Sequence, residues 1–281
     1  ESFDPHEPWF VPEHYRRRYD AGNGREQVIS PYAEMPWLPP ELVARTRANY
    51  AGLVEMCDRW FGHLIETLRV TGVLDEALVI VTSDHGHSLW ERRGYIGKRG
   101  YPSDPESYEV PLLVRHPQKL RAGTTCNAFV QHHDIAATAL AATGVVPPEK
   151  IDGRSFLDVA FGSGAPVRDH VTVGWGGAMT VIDDRWWLNV KVNGKGPFLY
   201  DSPRPAPDAP NVAERHPAKE QSDPAAKARA KKVLEAEYRK QFIAHASIGP
   251  SCAIARMQDG KLHVWSHTQG IYGLRKDLAK V

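Results

Sequence analysis

Leu78-Val79-Ile80-Val81-Thr82-Ser83-Asp84-His85-Gly86 decides the reading of this chain. A short apolar, β-branched run bounded by a turn reads as a buried strand, and it ends in a carboxylate, an imidazole and a glycine. In open α/β sheets the carboxyl ends of the strands are where ligands and metals gather. Upstream, Tyr50, Leu53, Val54, Cys57, Trp60, Phe61, Leu64, Ile65 and Leu68 recur at three- and four-residue intervals. That spacing predicts one long amphipathic helix from Glu41, stopped by Thr71-Gly72. Downstream, Val110-Pro111-Leu112-Leu113-Val114 is a second apolar run, and Asp134 is placed to cap a short helix over Ile135 to Ala142 that ends at Gly144. Strand, helix and strand in this order predict an α/β layer with a mostly parallel sheet.

Composition sets limits around this centre. With 281 residues and 42% hydrophobic content, the chain can bury one large core or two modest ones, so a main domain with appendages is expected. Thirty-five basic residues against 34 acidic ones, a formal charge of +1, point to neither nucleic acid nor a membrane surface. The polar start Glu1-Ser2-Phe3-Asp4-Pro5-His6 and the lack of a long apolar run leave no transmembrane helix or signal peptide to expect. The missing initial Met reads as a chain that starts inside a longer product. Cys57, Cys126 and Cys252 have no CxxC spacing; reduced, buried thiols and a cytoplasmic location are expected.

The first 40 residues, rich in Pro, Gly and aromatic side chains, read as an irregular segment laid over a surface. After Asp152-Gly153-Arg154, the β-prone runs Val171 to Gly174, Met179 to Ile182, Trp186 to Val192 and Phe198 to Tyr200 are separated by turn residues and predict a small antiparallel sheet. Ser202 to Asp223 reads as a linker or loose loop, Pro224 to Ala246 as a helix, and Ser251 to His267 as a hairpin turning at Asp259-Gly260.

Asp84 and His85 are candidate metal ligands, because donors at a strand end are held without an ordering penalty if the turn at Gly86 lets them converge. Lys98, between Gly97 and Gly100, would put an ammonium in a loop that an anion can approach closely. The bland alternatives are a loop-closing turn and a solvated lysine.

With Val110-Pro111-Leu112-Leu113-Val114-Arg115 following them, Ser83-Asp84-His85-Gly86 and Gly97-Lys98 resemble the second half of the sulfatase family within the alkaline phosphatase superfamily. Further stretches agree: Phe3-Asp4-Pro5-His6-Glu7-Pro8-Trp9, Asp58 and Gly62 in the long helix, Asp134-Ile135-Ala136 with Thr138, Asp152-Gly153-Arg154-Ser155, and Leu199-Tyr200-Asp201. The likeness runs in register over roughly residues 1 to 215. It implies a partial alkaline-phosphatase-like sheet with flanking helices over 1–160, and a small antiparallel subdomain over 161–215. It also implies that Asp84 and His85 ligate a divalent cation, calcium being the usual ion and Mn2+, Mg2+ and Zn2+ the alternatives. Lys98 would hold the sulfate oxygens, and His6 would bind or protonate the leaving-group oxygen. The family's nucleophile is a formylglycine made in a Cys/Ser-x-Pro-x-Arg motif. These 281 residues contain no such motif: Cys57, Cys126 and Cys252 are followed by Asp-Arg-Trp, Asn-Ala-Phe and Ala-Ile-Ala. The family's paired Asp from its first strand is also missing. The expectation is a sulfuric ester hydrolase fragment that is inactive alone, metal-dependent when complete, with an exposed sheet edge prone to self-association. The loop Leu89-Trp90-Glu91-Arg92-Arg93-Gly94 departs from the family pattern, which puts the spacing between His85 and Lys98 in question.

Beyond a linker at 216–223, residues 224–281 resemble the molybdopterin-binding subunit of the xanthine dehydrogenase and aldehyde oxidase family through His245 to Ala253, Val264-Trp265-Ser266-His267-Thr268-Gln269-Gly270 and Leu274 to Ala279. The resemblance implies that Gln269 approaches the molybdenum centre, although one short segment is not expected to hold a pterin. The two resemblances together read as a junction of two partial genes near Pro217 to Asp223. Three functions stay open. The substrate is a small-molecule sulfate ester in the first, and a phosphonate or phosphate monoester on the same fold in the second. The third is a non-catalytic remnant.

Overall fold

The computed structural model describes residues 2–20, 22, 30–146, 150–162 and 164–216, together with the backbone of two strands at 253–258 and 261–266. Two compact units divide the chain, Glu1–Lys219 and Glu220–Val281.

In the first unit a short helix α1 (Glu13–Arg16) and a short strand β1 (Ala33–Glu34) interrupt an otherwise irregular amino-terminal segment, as its composition predicts. Helix α2 (Pro40–Val70) begins with Pro40 in its first turn and stops where Gly72 takes φ +78°, a left-handed backbone that glycine adopts without strain. Strand β2 (Val79–Thr82) is the run that opened the reading. It pairs antiparallel with β5 (Leu112–Arg115), Val79 opposite Arg115 and Thr82 opposite Leu112. The expected parallel arrangement is therefore absent among the described residues. The physical reason lies in the connection: between β2 and β5 the chain makes a hairpin, β3 (Ser88–Leu89) and β4 (Tyr95–Gly97), and a single turn of helix α3 (Pro105–Tyr108). No long crossover helix carries it back for a parallel pairing.

Helix α4 (His133–Thr143) ends at Gly144 as expected, but Asp134 does not cap it from outside. Asp134 lies in the first turn, wholly buried, and its carboxylate accepts the backbone N–H of Gln131 at 2.8 Å and of Arg154 at 2.9 Å. Thr138, one turn on, accepts the backbone N–H of Phe156 at 3.1 Å. Asp134 and Thr138 thus fasten the Asp152-Gly153-Arg154 loop, which leads into helix α5 (Leu157–Phe161), to α4. The four-stranded antiparallel sheet follows as predicted: β6 (Val171–Trp175), β7 (Ala178–Ile182), β8 (Trp187–Lys191) and β9 (Phe198–Tyr200), in that order.

A core cluster of Trp9, Leu38, Val43, Leu53, Leu89 and Ile96 locks the amino-terminal segment, the first half of α2 and the β3–β4 hairpin together. In α2 every buried residue, Val43 through Leu53, lies in the amino-terminal half. Cys57 is half-buried and Cys126 is exposed, which corrects the expectation of buried thiols for these two; Cys252 lies outside the described residues.

The second unit contributes β10 (Ala253–Gln258) and β11 (Lys261–Ser266), an antiparallel pair with Gln258 opposite Lys261. This agrees with the hairpin read from the sequence. The helix expected over Pro224 to Ala246, and Gln269, lie outside the described residues.

Candidate active site

Three separate segments deliver the site. His6 sits in a loop anchored by Trp9, which is 1% exposed and donates its indole N–H to the Pro5 carbonyl at 3.1 Å. The Phe3 ring stacks on the His6 imidazole at 4.6 Å. His85 leaves the end of β2 through Gly86, whose amide donates to the Ser107 carbonyl at 2.9 Å. A Cβ at Gly86 would stand 2.0 Å from the Glu106 carbonyl oxygen, so only glycine permits this approach. Lys98 leaves β4 through Gly97, at φ +142° and with its α-carbon face 2.9 Å (as a would-be Cβ) from the Tyr32 backbone.

These segments converge. The Lys98 ammonium lies 3.2 Å from His6 Nε2, and the His6 and His85 rings stand 6.3 Å apart. Lys98 is not the solvated lysine of the bland reading: its side chain is 8% exposed. Asp84 lies beside His85, carboxylate to Nε2 at 3.5 Å, but it is 85% exposed and accepts the backbone N–H of His85 at 2.9 Å. The loop that departs from the family pattern is held in place: Trp90 donates to the Met35 carbonyl at 2.8 Å and Arg92 pairs with Glu106 at 2.8 Å. From the other side the four-stranded sheet braces the segment after Lys98. Buried Asn189 donates to the Gly100 carbonyl at 3.1 Å, and Ser103 and Thr180 share a hydrogen bond of 2.6 Å.

Residues to which the sequence assigned no role complete the cluster. The Glu7 carboxylate lies 3.4 Å from Lys98 Nζ, 3.5 Å from His87 Nδ1, and accepts the Tyr32 hydroxyl. Burial works against a charge on Glu7, yet the Tyr32 hydroxyl, its own backbone amide, His87 and Lys98 outweigh that and hold the carboxyl below its usual range. His87 is pushed down to about 4, chiefly by burial, so it is neutral at pH 7; Ser30 shares a hydrogen bond of 3.1 Å with its Nε2. Burial and Glu7 raise the Tyr32 phenol, which stays protonated. A signal for two of the three was in reach. Glu7 sits inside the Phe3 to Trp9 stretch that carries the family resemblance, and His87 repeats the imidazole two residues after His85. Tyr32, in the irregular segment, had none.

An ammonium has three donors and no acceptor, so Lys98 donates to His6 Nε2. His6 therefore carries its proton on Nδ1, which donates to the Glu7 carbonyl at 2.7 Å. Cys57, near Ser2 in α2, is raised above the usual thiol range by burial and is a poor nucleophile. Beside His85 and Asp84 opens a cleft of about 600 Å³ walled by Tyr108, Leu112, Phe129, Ile135 and Trp175.

One carboxylate and one imidazole are two donors, and among the described residues no group of three or more His, Cys, Asp or Glu side chains is placed to hold a metal ion. Calcium takes ~6–8 oxygen ligands, so this donor set does not by itself make a cation site.

Residues 3–145 match the family model described as Sulfatase, half of the chain, and residues 206–281 match the one described as Molybdopterin cofactor-binding domain. The chain belongs to the sulfatase family. It is 35% identical over 116 residues to the multifunctional alkaline phosphatase superfamily protein of Trinickia caryophylli, covering 41% of this chain and 22% of that protein. To the N-acetylglucosamine-6-O-sulfatase of Bacteroides thetaiotaomicron it is 33% identical over 121 residues, covering 43% and 21%. Among solved structures, the phosphonate monoester hydrolase of Silicibacter pomeroyi superposes with a TM-score of 0.53 at 26% identity, covering 69% of this chain and 40% of that one. The chain thus spans about a fifth of the length of the curated relatives it matches. The molybdopterin match starts at Ala206, ahead of the Pro224 at which the sequence resemblance begins.

Proposed function

We propose that this chain carries the anion-binding and leaving-group side of a sulfuric ester hydrolase acting on a small-molecule sulfate ester. The observation that supports it is the convergence of His6, His85 and Lys98 from three distant segments into one partly buried cluster. Lys98 takes a sulfate oxygen. As its ammonium turns to that oxygen it releases His6 Nε2, which takes up a proton from solvent and then, with a proton on each ring nitrogen, can donate to the ester oxygen that leaves. The cleft beside His85 offers room for the organic group. A divalent cation goes with the family; calcium is the ion we propose, with Asp84 and His85 as two of its ligands and further donors needed from elsewhere. Among these residues there is no formylglycine motif, so the chain alone is expected to turn over little or no ester. We assign residues 1–160 to the hydrolase core, 161–215 to its antiparallel subdomain and 224–281 to the second family, with cytoplasm as the compartment.

The likeness to a phosphonate monoester hydrolase supports a second reading, in which the ester is a phosphonate. Joining the chain to the nucleophile-bearing part of a relative tests both. Such a fusion should hydrolyse 4-nitrophenyl sulfate or phenyl phosphonate 4-nitrophenyl ester, and the faster substrate names the reading. Lys98→Ala and Asp84→Ala should each lower turnover by about 100-fold or more. Unchanged turnover in both variants refutes the site.

A further inference from the structure

We propose that Glu7 is a positioning residue that neutralises Lys98 and thereby sets the site for monoanionic esters against dianionic ones. The inference rests on the reading of Lys98 as the anion-binding group. Lys98 Nζ lies 3.4 Å from one Glu7 carboxylate oxygen and 5.6 Å from the Tyr32 ring centre, with an 8% exposed side chain against 11% for Glu7. The groups facing it come from every surrounding segment: His6 on the amino-terminal loop, the Tyr32 phenol ahead of β1 and His87 after β2, with the Glu7 carboxylate among them. Asp84, the remaining charge near His85, is an exposed carboxylate. The next cation along the chain, Arg99, is already engaged with Asp104 at 2.8 Å and Glu34 at 2.7 Å. The Lys98–Glu7 pair by itself sums to zero, apart from any cation held at Asp84 and His85.

An arriving anion meets that sum. A sulfate monoester or a phosphonate monoester brings one negative charge, whereas a phosphate monoester brings close to two near pH 8, its second pKa being about 6. In a buried site each further negative charge beyond that neutral pair is expensive, so a dianion is disfavoured more than a monoanion. Glu7 is held to this task on both edges. Tyr32 donates to one oxygen, His87 and His6 lie at 3.5 and 3.4 Å from the other, and the shell leaves the carboxylate no route to turn away from Lys98. A Glu present only to brace the loop would do so equally well as Gln, because the Tyr32 hydroxyl could donate to the amide oxygen. The charge is what distinguishes them.

The test is NMR titration of the histidine ring resonances of the full chain at pH 8 with methyl sulfate and with methyl phosphate, reading a Kd for each. The wild type should favour methyl sulfate. Glu7→Gln should move the ratio of the two Kd values toward the dianion by about tenfold, the effect of one unit charge at this range in a partly screened site. Glu7→Asp, which keeps the charge, should leave the ratio near that of the wild type. Lys98→Ala should weaken both probes. If Lys98→Ala leaves both Kd values unchanged, the anion-binding reading itself fails. If Lys98→Ala weakens both but Glu7→Gln leaves the ratio where it was, only the role of Glu7 is overturned. A ratio shifted equally by Glu7→Asp and Glu7→Gln also overturns it, since geometry and not charge would then be responsible.

Discussion

At the residue scale the site is a set of polar side chains held in place by their neighbours. His87 shows the consequence for stability. Its folded pKa of about 4 is below the ordinary 6.5, because burial disfavours the imidazolium. Between those values the unfolded chain binds the proton and the folded chain does not. Stability conferred by this residue is therefore intact above pH 6.5 and declines as pH falls toward 4, by as much as about 3 kcal/mol. Urea unfolding across that range should show the loss, and His87→Gln should flatten it. A slope identical in the variant would mean that other groups govern the acid limb. Asp134 makes a second case. It is fully buried, paired with Arg168, and binds two backbone amides. Asp134→Ala would strand a buried guanidinium and should destabilise the chain by about 3–5 kcal/mol, while leaving the Lys98 cluster's anion affinity intact if refolded. Asp84, His85 and Lys98 could be picked out from the sequence by their type and their place beside turn glycines, and His6 by the family resemblance alone. Glu7, His87 and Tyr32 could not be given roles, since what matters about them is a 3–4 Å contact with a residue distant in the chain.

At the element scale, regular patterns transferred and pairings did not. The three- and four-residue spacing of apolar residues placed α2, and alternating runs between turn residues placed β6 to β9 to within about two residues. Spacing describes one face of one segment. It says nothing of the partner, which is why β2 was expected in a parallel sheet and instead pairs antiparallel with β5. The same blindness affects α2, whose apolar residues are periodic throughout, although Leu53 is 1% exposed and Leu64 53%. Leu53→Ala should therefore cost about 2–5 kcal/mol in urea unfolding, and Leu64→Ala no more than about 0.5 kcal/mol. Equal effects would show that the carboxyl-terminal half of the helix is covered in solution.

At the scale of the whole molecule, apolar surface is left open. Trp60, Leu64 and Val70 on α2 and Leu113 on β5 are exposed at 65%, 53%, 65% and 60%. Unpaired strand edges beside apolar patches template association. Sedimentation should show concentration-dependent self-association, and Leu113→Lys should weaken it; a monomer at high concentration in the wild type would refute this. The long helix α2, strands β2 and β5 to β9, helix α4, the turn glycines Gly72 and Gly144, and Asp84, His85 and Lys98 as candidates followed from the sequence, because each depends on side-chain periodicity or on chemistry that a short stretch carries by itself, while His6 came from the family resemblance. The antiparallel pairing of β2, the burial of Lys98 and the carboxylate of Glu7 that balances its charge were decided only by the tertiary structure, because contact between residues far apart in the chain determines both strand partners and the local electrostatic field.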